Sequence, residues 1–99
     1  MPMFAVTYSY NDDVATRDRV RPEHREYLSS LTEREHLVVA GGFGPDRPAG
    51  ALLLFRAQDE AQVRRFVADD PFSTAGVIAS AEVASWTPAL GVALPAFTD

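Results

Sequence analysis

Two residues of this 99-residue chain stand out for the chemistry that they could perform, His24 and Asp70. Leu28 and Leu31 recur at helical spacing, and His24 falls on the same stripe, so we expect its imidazole to face the core. Pro22 suits the first turn of a helix, which would place His24 near the positive end of the helix dipole and favour a neutral, proton-accepting imidazole. The pattern predicts a general acid/base. The structural alternative is a half-buried histidine that bonds a backbone carbonyl.

Asp70 lies where the second predicted helix ends, so its carboxylate faces the negative end of that dipole, usually a penalty of ~0.3–1 kcal/mol. The simpler interpretation is a turn-forming Asp before Pro71. In the expected topology the start of the first helix and the end of the second need not be neighbours. A pair between His24 and Asp70 therefore requires the following loops, or a partner subunit, to bring the two side chains together.

Other residues suit the binding of a small, flat ligand. Four Arg lie between positions 17 and 25 and could recognise a carboxylate or phenolate, although a solvated polar face explains them equally simply. Aromatic side chains could wall a pocket, although at these spacings they are more often core. The candidate substrate-binding residues are Arg21, Tyr8, Phe43, Phe72 and Ser73.

The composition excludes several kinds of chemistry. The chain has no Cys, and each of its 9 basic residues is Arg, so thiolate nucleophiles, Cys-ligated metals and Lys Schiff bases are absent. The second histidine, His36, has no carboxylates at ligand spacing around it. We therefore expect neither a metal site nor a cofactor.

The charge balance bears on the choice of partner. A composition of 46% hydrophobic and 23% charged residues is typical of a globular protein, and its formal charge is −5. Nucleic acids and anionic membranes are bound by excess Lys and Arg, so neither is expected as a partner. No apolar run approaches a membrane span, and the first residues lack the basic start of a signal peptide, which favours the cytoplasm.

Hydrophobic periodicity and turn residues predict six elements in the order β-α-β-β-α-β. The strands are expected at residues 3–10, 37–43, 50–55 and 77–86. The helices are expected at residues 22–35 and 59–69, the second with a capping box formed by Asp59 and Gln62. This order is that of a ferredoxin-like α+β fold.

The ferredoxin-like arrangement is a four-stranded antiparallel sheet with both helices on one face. The first and third strands are apolar on both sides, so the second face of the sheet would be a large exposed patch in a monomer. We expect a homodimer that packs through this face. Residues 1–88 form the predicted domain, and residues 89–99 form a tail that drapes over the partner subunit or is loose.

From about Phe4 to Pro88 the chain resembles the YCII-related (YciI-like) family. The resemblance rests on short motifs in a characteristic order and spacing. They are R-x-x-H at Arg21–His24, A-G at Ala40–Gly41, D-P-F at Asp70–Phe72, A-G-V at Ala75–Val77 and W-x-P at Trp86–Pro88.

The resemblance implies a ferredoxin-like fold assembled as a dimeric α+β barrel, with His24 and Asp70 as the active-site pair. The known chemistry of the family includes elimination of chloride from chlorinated hydroxylated aromatics without metal or organic cofactor. This chain differs from the family pattern in the long polar segment before Arg21, in its short hairpin loop at residues 44–49 and in its extra tail after Pro88.

The leading hypothesis is a cofactor-free lyase or isomerase that uses His24 as general acid/base on a small hydroxylated or enolisable substrate. Asp70 would orient the imidazole. The alternative is a non-catalytic dimeric module that binds a small molecule or a partner protein. A haem or quinone monooxygenase is less favoured, because the sequence has no convincing extra ligand or redox motif.

Overall fold

A computed structural model describes residues 1–98 as four strands and three helices; Asp99, the last residue of the predicted tail, lies outside the described residues. The elements are β1 (Met3–Tyr10), α1 (Val14–Glu33), β2 (Leu37–Gly42), β3 (Gly50–Arg56), α2 (Glu60–Asp69), α3 (Pro71–Thr74) and β4 (Ile78–Trp86), followed by a 3₁₀ turn at Leu94–Phe97. None of the helices within residues 1–98 combines the length and the apolar character that crossing a bilayer requires.

The four strands form one antiparallel sheet in the order β2-β3-β1-β4. The central strand β1 pairs with both neighbours, and its Val6 lies opposite Leu53 of β3 and Val83 of β4. This order and the helices on one face confirm the predicted ferredoxin-like α+β fold.

The core lies between one face of the sheet and the helices. Alternation along β1 turns Phe4, Val6 and Tyr8 towards the helices, and all three are buried. From the helix side Leu31 and Val63 close the same cluster. The main core cluster lies on this face, so a one-residue slip of β1 would turn Phe4, Val6 and Tyr8 away from the helices.

Helix α1 is longer than predicted: it begins at Val14, so a start at residue 22 is wrong. Asp13 caps the helix by accepting a hydrogen bond from Thr16 N–H at 3.1 Å. Arg17 anchors the first turns, since its Nη1 donates to the Asn11 carbonyl and its guanidinium lies over the Tyr10 ring. Pro22 therefore lies inside the helix, on an exposed surface.

Helix α2 confirms its predicted start, because Asp59 Oδ1 accepts from Gln62 N–H at 2.8 Å. Its end at Asp69 also agrees with the prediction, but the segment that follows does not. Asp70 ends α2 and at once caps the short helix α3, where a simple turn was expected. Gly76 then takes a left-handed φ of 76°, which suits glycine, and turns the chain into β4.

The second face of the sheet, here called the outer face, carries Val39, Leu52 and Trp86, which are 48%, 40% and 37% exposed. The tail folds back against the part of its own chain that contains Trp86 and Arg56. Phe97 packs edge-on against Trp86 with 5.8 Å between ring centroids, and the Ala96 carbonyl accepts from Arg56 Nη2 at 3.1 Å. The tail is thus held by its own subunit, and part of the outer face remains apolar and open.

Candidate active site

His24 and Asp70 meet within a single chain. Nδ1 of His24 lies 2.7 Å from Oδ1 of Asp70, although 46 residues separate the two positions. Only 8% of His24 and none of Asp70 is exposed. Such a contact, with an ionisable group that has no surface exposure, is charge-assisted and weakly screened by solvent.

The greater length of α1 explains why the two residues meet. With the helix starting at Val14, His24 lies mid-helix, beside the point where α2 ends and α3 packs against α1. Neither a loop nor a partner subunit is needed to join the pair. The predicted position in the first helical turn is wrong, and with it the argument from the helix dipole, whose influence falls off within one turn.

Asp70 accepts three hydrogen bonds. Its Oδ1 receives the Phe72 backbone N–H at 2.9 Å in addition to the His24 contact, and its Oδ2 receives the Tyr8 hydroxyl at 2.9 Å. A group that accepts from a phenol and an amide is arranged as a carboxylate, so His24 Nδ1 carries the proton and donates. The lone pair is then on Nε2, which has no partner in the described part of the chain and is not sealed from solvent.

Tyr8 lies beneath the pair, where it is 1% exposed. Burial raises the pKa of the Tyr8 hydroxyl far above its ordinary value, and the negative charge of Asp70 raises it further. The phenol therefore stays protonated and acts as a permanent donor to Asp70. Sequence reasoning placed Tyr8 on a pocket wall; alternation along β1, which turns it inward, was the signal for this different position.

Phe72 fixes the plane of the imidazole. Its ring stacks on that of His24 with 3.9 Å between centroids and 7° between planes, and it is 2% exposed. Tyr10 packs edge-on against Phe72 with 5.5 Å between ring centroids. Burial, followed by Asp70, raises the pKa of Tyr10, while the nearby guanidinium groups oppose this shift. The Asp70-Pro71-Phe72 segment thus supplies both the carboxylate and the aromatic surface that orient His24.

A cavity of about 330 Å³ opens beside the pair. It lies between α1 and the end of the sheet formed by β2 and β3, and it is large enough for a single substituted ring. Its lining residues are Tyr10, Arg21, His24, Arg25, Leu28, Ala40, Gly41, Gly42, Gly50, Ala51, Leu53 and Phe72.

The structure brings only part of the predicted set to this cavity. Arg21 and Phe72 line it together with His24. Ser73 lies outside the lining, with its hydroxyl donating to the Val67 carbonyl at 2.6 Å. Phe43 lines a different cavity of about 300 Å³ with outer-face residues, and Arg47 lies over its ring.

Sequence reasoning missed that β2 closes the cavity at Gly41 and Gly42, and it named Arg25 only within a cluster of four Arg that could recognise a carboxylate or phenolate. Arg25 is four positions after Arg21 on α1, so helical spacing could have placed it on the cavity wall beside Arg21. Gly41 and Gly42 were interpreted only as part of the strand expected at residues 37–43 and, for Gly41, of the A-G motif. Within residues 1–98, no group of three or more His, Asp or Glu side chains converges on a position that could hold a metal ion.

The fold and the site together define a ferredoxin-like α+β protein with a buried histidine–carboxylate pair beside a small cavity. A family model of the YCII-related domain matches residues 1–87. The chain belongs to the YCII-related family, as the sequence motifs predicted. A comparison with the curated proteins found no match.

Solved structures share the fold. One is 5-chloro-2-hydroxyhydroquinone dehydrochlorinase (TftG) from Burkholderia phenoliruptrix AC1100, in complex with 2,5-dihydroxybenzoquinone; it is 24% identical with a TM-score of 0.74, covering 86% of this chain and 93% of that chain. An antibiotic biosynthesis monooxygenase is 13% identical with a TM-score of 0.57, and the match covers 91% of this chain and 100% of that chain. At3g17210 from Arabidopsis thaliana is 10% identical with a TM-score of 0.54, and the match covers 92% of this chain and 98% of that chain.

Proposed function

We propose that this protein is a lyase- or isomerase-type enzyme in which His24 acts as general acid/base on a small hydroxylated or enolisable substrate. The observation that carries the proposal is the 2.7 Å contact between His24 Nδ1 and Asp70 Oδ1. It leaves Nε2 as the basic nitrogen on the side of the cavity. A base within reach of a bound substrate contributes about 10²–10⁴-fold to the rate.

The proposed reaction is a proton transfer followed by bond rearrangement. Nε2 removes a proton from an acidic O–H or C–H of the substrate, and His24 becomes an imidazolium stabilised by Asp70. In an elimination, the released electron pair forms a new double bond while the leaving group departs with the electrons of its own bond. In an isomerisation, His24 returns the proton to a different atom. Neither route requires a redox change or a cofactor.

The shape of the cavity and the family membership support a ring substrate. The cavity holds about 330 Å³, enough for one substituted ring, and Phe72 gives it an aromatic wall. The dehydrochlorinase with a similar fold was solved with 2,5-dihydroxybenzoquinone, a flat hydroxylated ring. Halogenated hydroquinones are therefore the first compounds to test.

We also propose that the working unit is a homodimer packed through the outer face. Val39 and Leu52 leave about half of their surface open there, beside the second cavity of about 300 Å³. A patch of this kind on a monomer is unfavourable in water. Light scattering at micromolar concentration should give twice the chain mass, and the mass of one chain would contradict the dimer.

The test of function is turnover of a panel of chlorinated and unchlorinated hydroquinones and enolisable ketones in deuterated water. Chloride release reports elimination, and deuterium at carbon reports isomerisation. We expect the wild type to turn over a member of the panel and His24→Gln to lose that activity while keeping its fold. Binding without turnover, equally strong in both proteins, would instead favour the non-catalytic module.

A further inference from the structure

The charge of the cavity differs from that of the chain as a whole. The protein has 14 acidic and 9 basic residues, a net charge of −5. Within residues 1–98, however, the residues that line the cavity include Arg21 and Arg25 and no Asp or Glu. Asp70 lies behind the lining with no exposed surface, and its oxygens are occupied by His24, Tyr8 and a backbone amide. A ligand in this cavity meets only positive or neutral groups.

The two arginines differ in what holds them. Arg21 Nη1 forms an exposed ion pair with Asp18 at 2.7 Å, one helical turn away on α1. The Arg25 guanidinium has no hydrogen bond or ion pair with another described residue, and Arg25 is exposed. Arg21 and Arg25 lie four positions apart on α1, and both line the cavity together with His24. Arg25 is the cation that is free to pair with a ligand.

The wall opposite α1 carries no side chain at Gly42, while Ala40, Ala51 and Leu53 line the rest of it. A Cβ built on Gly42 would approach nothing closer than the Gly50 carbonyl oxygen, at 3.8 Å, and Gly42 does not adopt a left-handed φ. Neither packing nor backbone conformation therefore requires glycine at this position. Its register partner Ala51 faces the helices, so a side chain at Gly42 would project into the cavity. The absence of that side chain leaves a flat slot between α1 and β2.

From these observations we propose that the substrate is a small planar organic anion, with its negative group paired to Arg25 and its ring against β2 at Gly42. The anionic group is a carboxylate or a ring oxygen ionised as a phenolate or enolate, both of which a guanidinium recognises through paired hydrogen bonds. This inference rests on the proposed function only for the choice of cavity. It adds a substrate class and two residues that determine specificity.

The test compares ligands that share a shape and differ in charge. The probes are 4-hydroxybenzoate and its neutral analogue 4-hydroxybenzamide, with 2,5-dihydroxybenzoquinone, ionised at neutral pH, as the ring-oxygen anion. Affinities are measured by NMR titration of the full chain. We expect one or both anions to bind at least about fivefold more tightly than the amide. Which anion binds identifies the negative group. Equal affinities, or no binding of either anion at 10 mM, would overturn the proposal.

Two pairs of variants assign the residues. Arg25→Gln should weaken anion binding by about fivefold to tenfold, the lower end of a charge-assisted contact because the site is exposed. Arg65→Gln removes the same charge from an exposed position on α2 and should change nothing. Gly42→Val should weaken anion binding by more than about tenfold, while Ala61→Val, which adds the same branched side chain at an exposed position on α2 outside the lining, should leave binding intact. Anion binding that is indifferent to Arg25 or to Gly42 would overturn the corresponding assignment.

The outcomes separate this inference from the proposed function. If anions bind through Arg25 but His24→Gln turns over substrate like the wild type, the general-base proposal fails and the substrate class stands. If neutral and anionic rings bind equally while His24→Gln is inactive, the substrate class fails and the general base stands. Thermal unfolding of each variant excludes loss of the fold as the cause.

Discussion

Replacing Asp70 with Asn separates the charge of the His24–Asp70 pair from its geometry. In the wild type, Oδ1 accepts from His24 Nδ1 and from the Phe72 N–H, while Oδ2 accepts from Tyr8. An Asn whose carbonyl oxygen takes the place of Oδ1 keeps the first two contacts, and its NH₂ group donates to the Tyr8 oxygen. The proton stays on His24 Nδ1, and the change at the imidazole is the loss of the negative charge.

The size of the effect follows from the distance between the two groups. Oδ1 and Nδ1 are 2.7 Å apart, and because both charges are delocalised their centres are about 4 Å apart, worth about 4 kcal/mol at an effective dielectric of about 20. This is the largest share of imidazolium stabilisation that Asp70 can supply in the transition state. Since about 1.4 kcal/mol changes a rate tenfold, kcat of Asp70→Asn should fall by about 10²–10³-fold.

The same substitution has a smaller, separate effect on stability. The Tyr8 hydroxyl hydrogen loses its acceptor at a site that is 1% exposed. An unsatisfied buried donor costs about 1–3 kcal/mol, so urea unfolding should show a loss in that range. The protein should remain folded at room temperature.

The assay is steady-state kinetics on a substrate that the wild type turns over, with Asp69→Asn as the matched control. Asp69 is the preceding residue and is exposed, so its change should leave kcat within about twofold. A folded Asp70→Asn variant whose kcat stays within threefold of the wild type would refute the reasoning, because the charge would then have no part in the reaction.

Three further predictions concern Tyr8, Tyr27 and the outer face. Tyr8→Phe removes one donor to Asp70, so it should lower the unfolding free energy by about 1.5–3 kcal/mol and move the His24 Nδ1–H proton resonance downfield, as Asp70 becomes a stronger acceptor. Burial, then Asp69 and Asp70, raise the pKa of Tyr27 from 10.0 to about 12, so its stabilising contribution is complete below pH 10 and lost as pH rises through 12. Tyr27→Phe should therefore show a shallower fall in urea midpoint between pH 10 and 12. Leu52→Glu should convert the proposed homodimer to a monomer by light scattering, because it places a charge on the outer face.

Each of these predictions has a contradicting result. An unmoved His24 resonance in Tyr8→Phe would show that Tyr8 does not act through Asp70. Parallel curves for Tyr27→Phe and the wild type at alkaline pH would remove Tyr27 as a cause of the pH dependence. A dimer that persists in Leu52→Glu would place the interface elsewhere; Val14→Glu, an exposed apolar position on α1, is the control for the added charge.

The fold was predictable because its signals are local and agree with one another. Alternation marks β1, and the capping pair at Asp59 and Gln62 marks the start of α2. The start of α1 was missed because Pro22 is commonest in a first helical turn, whereas here Asp13 caps the helix earlier and Arg17 secures the intervening turns against Tyr10. Tertiary contacts thus overrode a local preference.

The site was predictable by residue type but not by geometry. His24 and Asp70 were identified from helical position and motif, yet their meeting depended on where α1 begins, which shifts His24 relative to the end of α2. The role of Tyr8 as a donor requires knowledge of which residue lies under Asp70, and only the sheet register supplies it. The charge of the cavity likewise emerges only when α1 and β2 are placed face to face.

The most direct test of the account is the ratio of kcat/KM between His24→Gln and His36→Gln, the same change at the two histidines of the chain. His36 packs on Phe66 and its Nδ1 contacts the Arg56 carbonyl, and it is not among the residues that line the cavity. If His24 is the general base, the His24 variant should be lower by about 10²–10⁴-fold. A ratio near one, with both variants folded, would contradict the central claim.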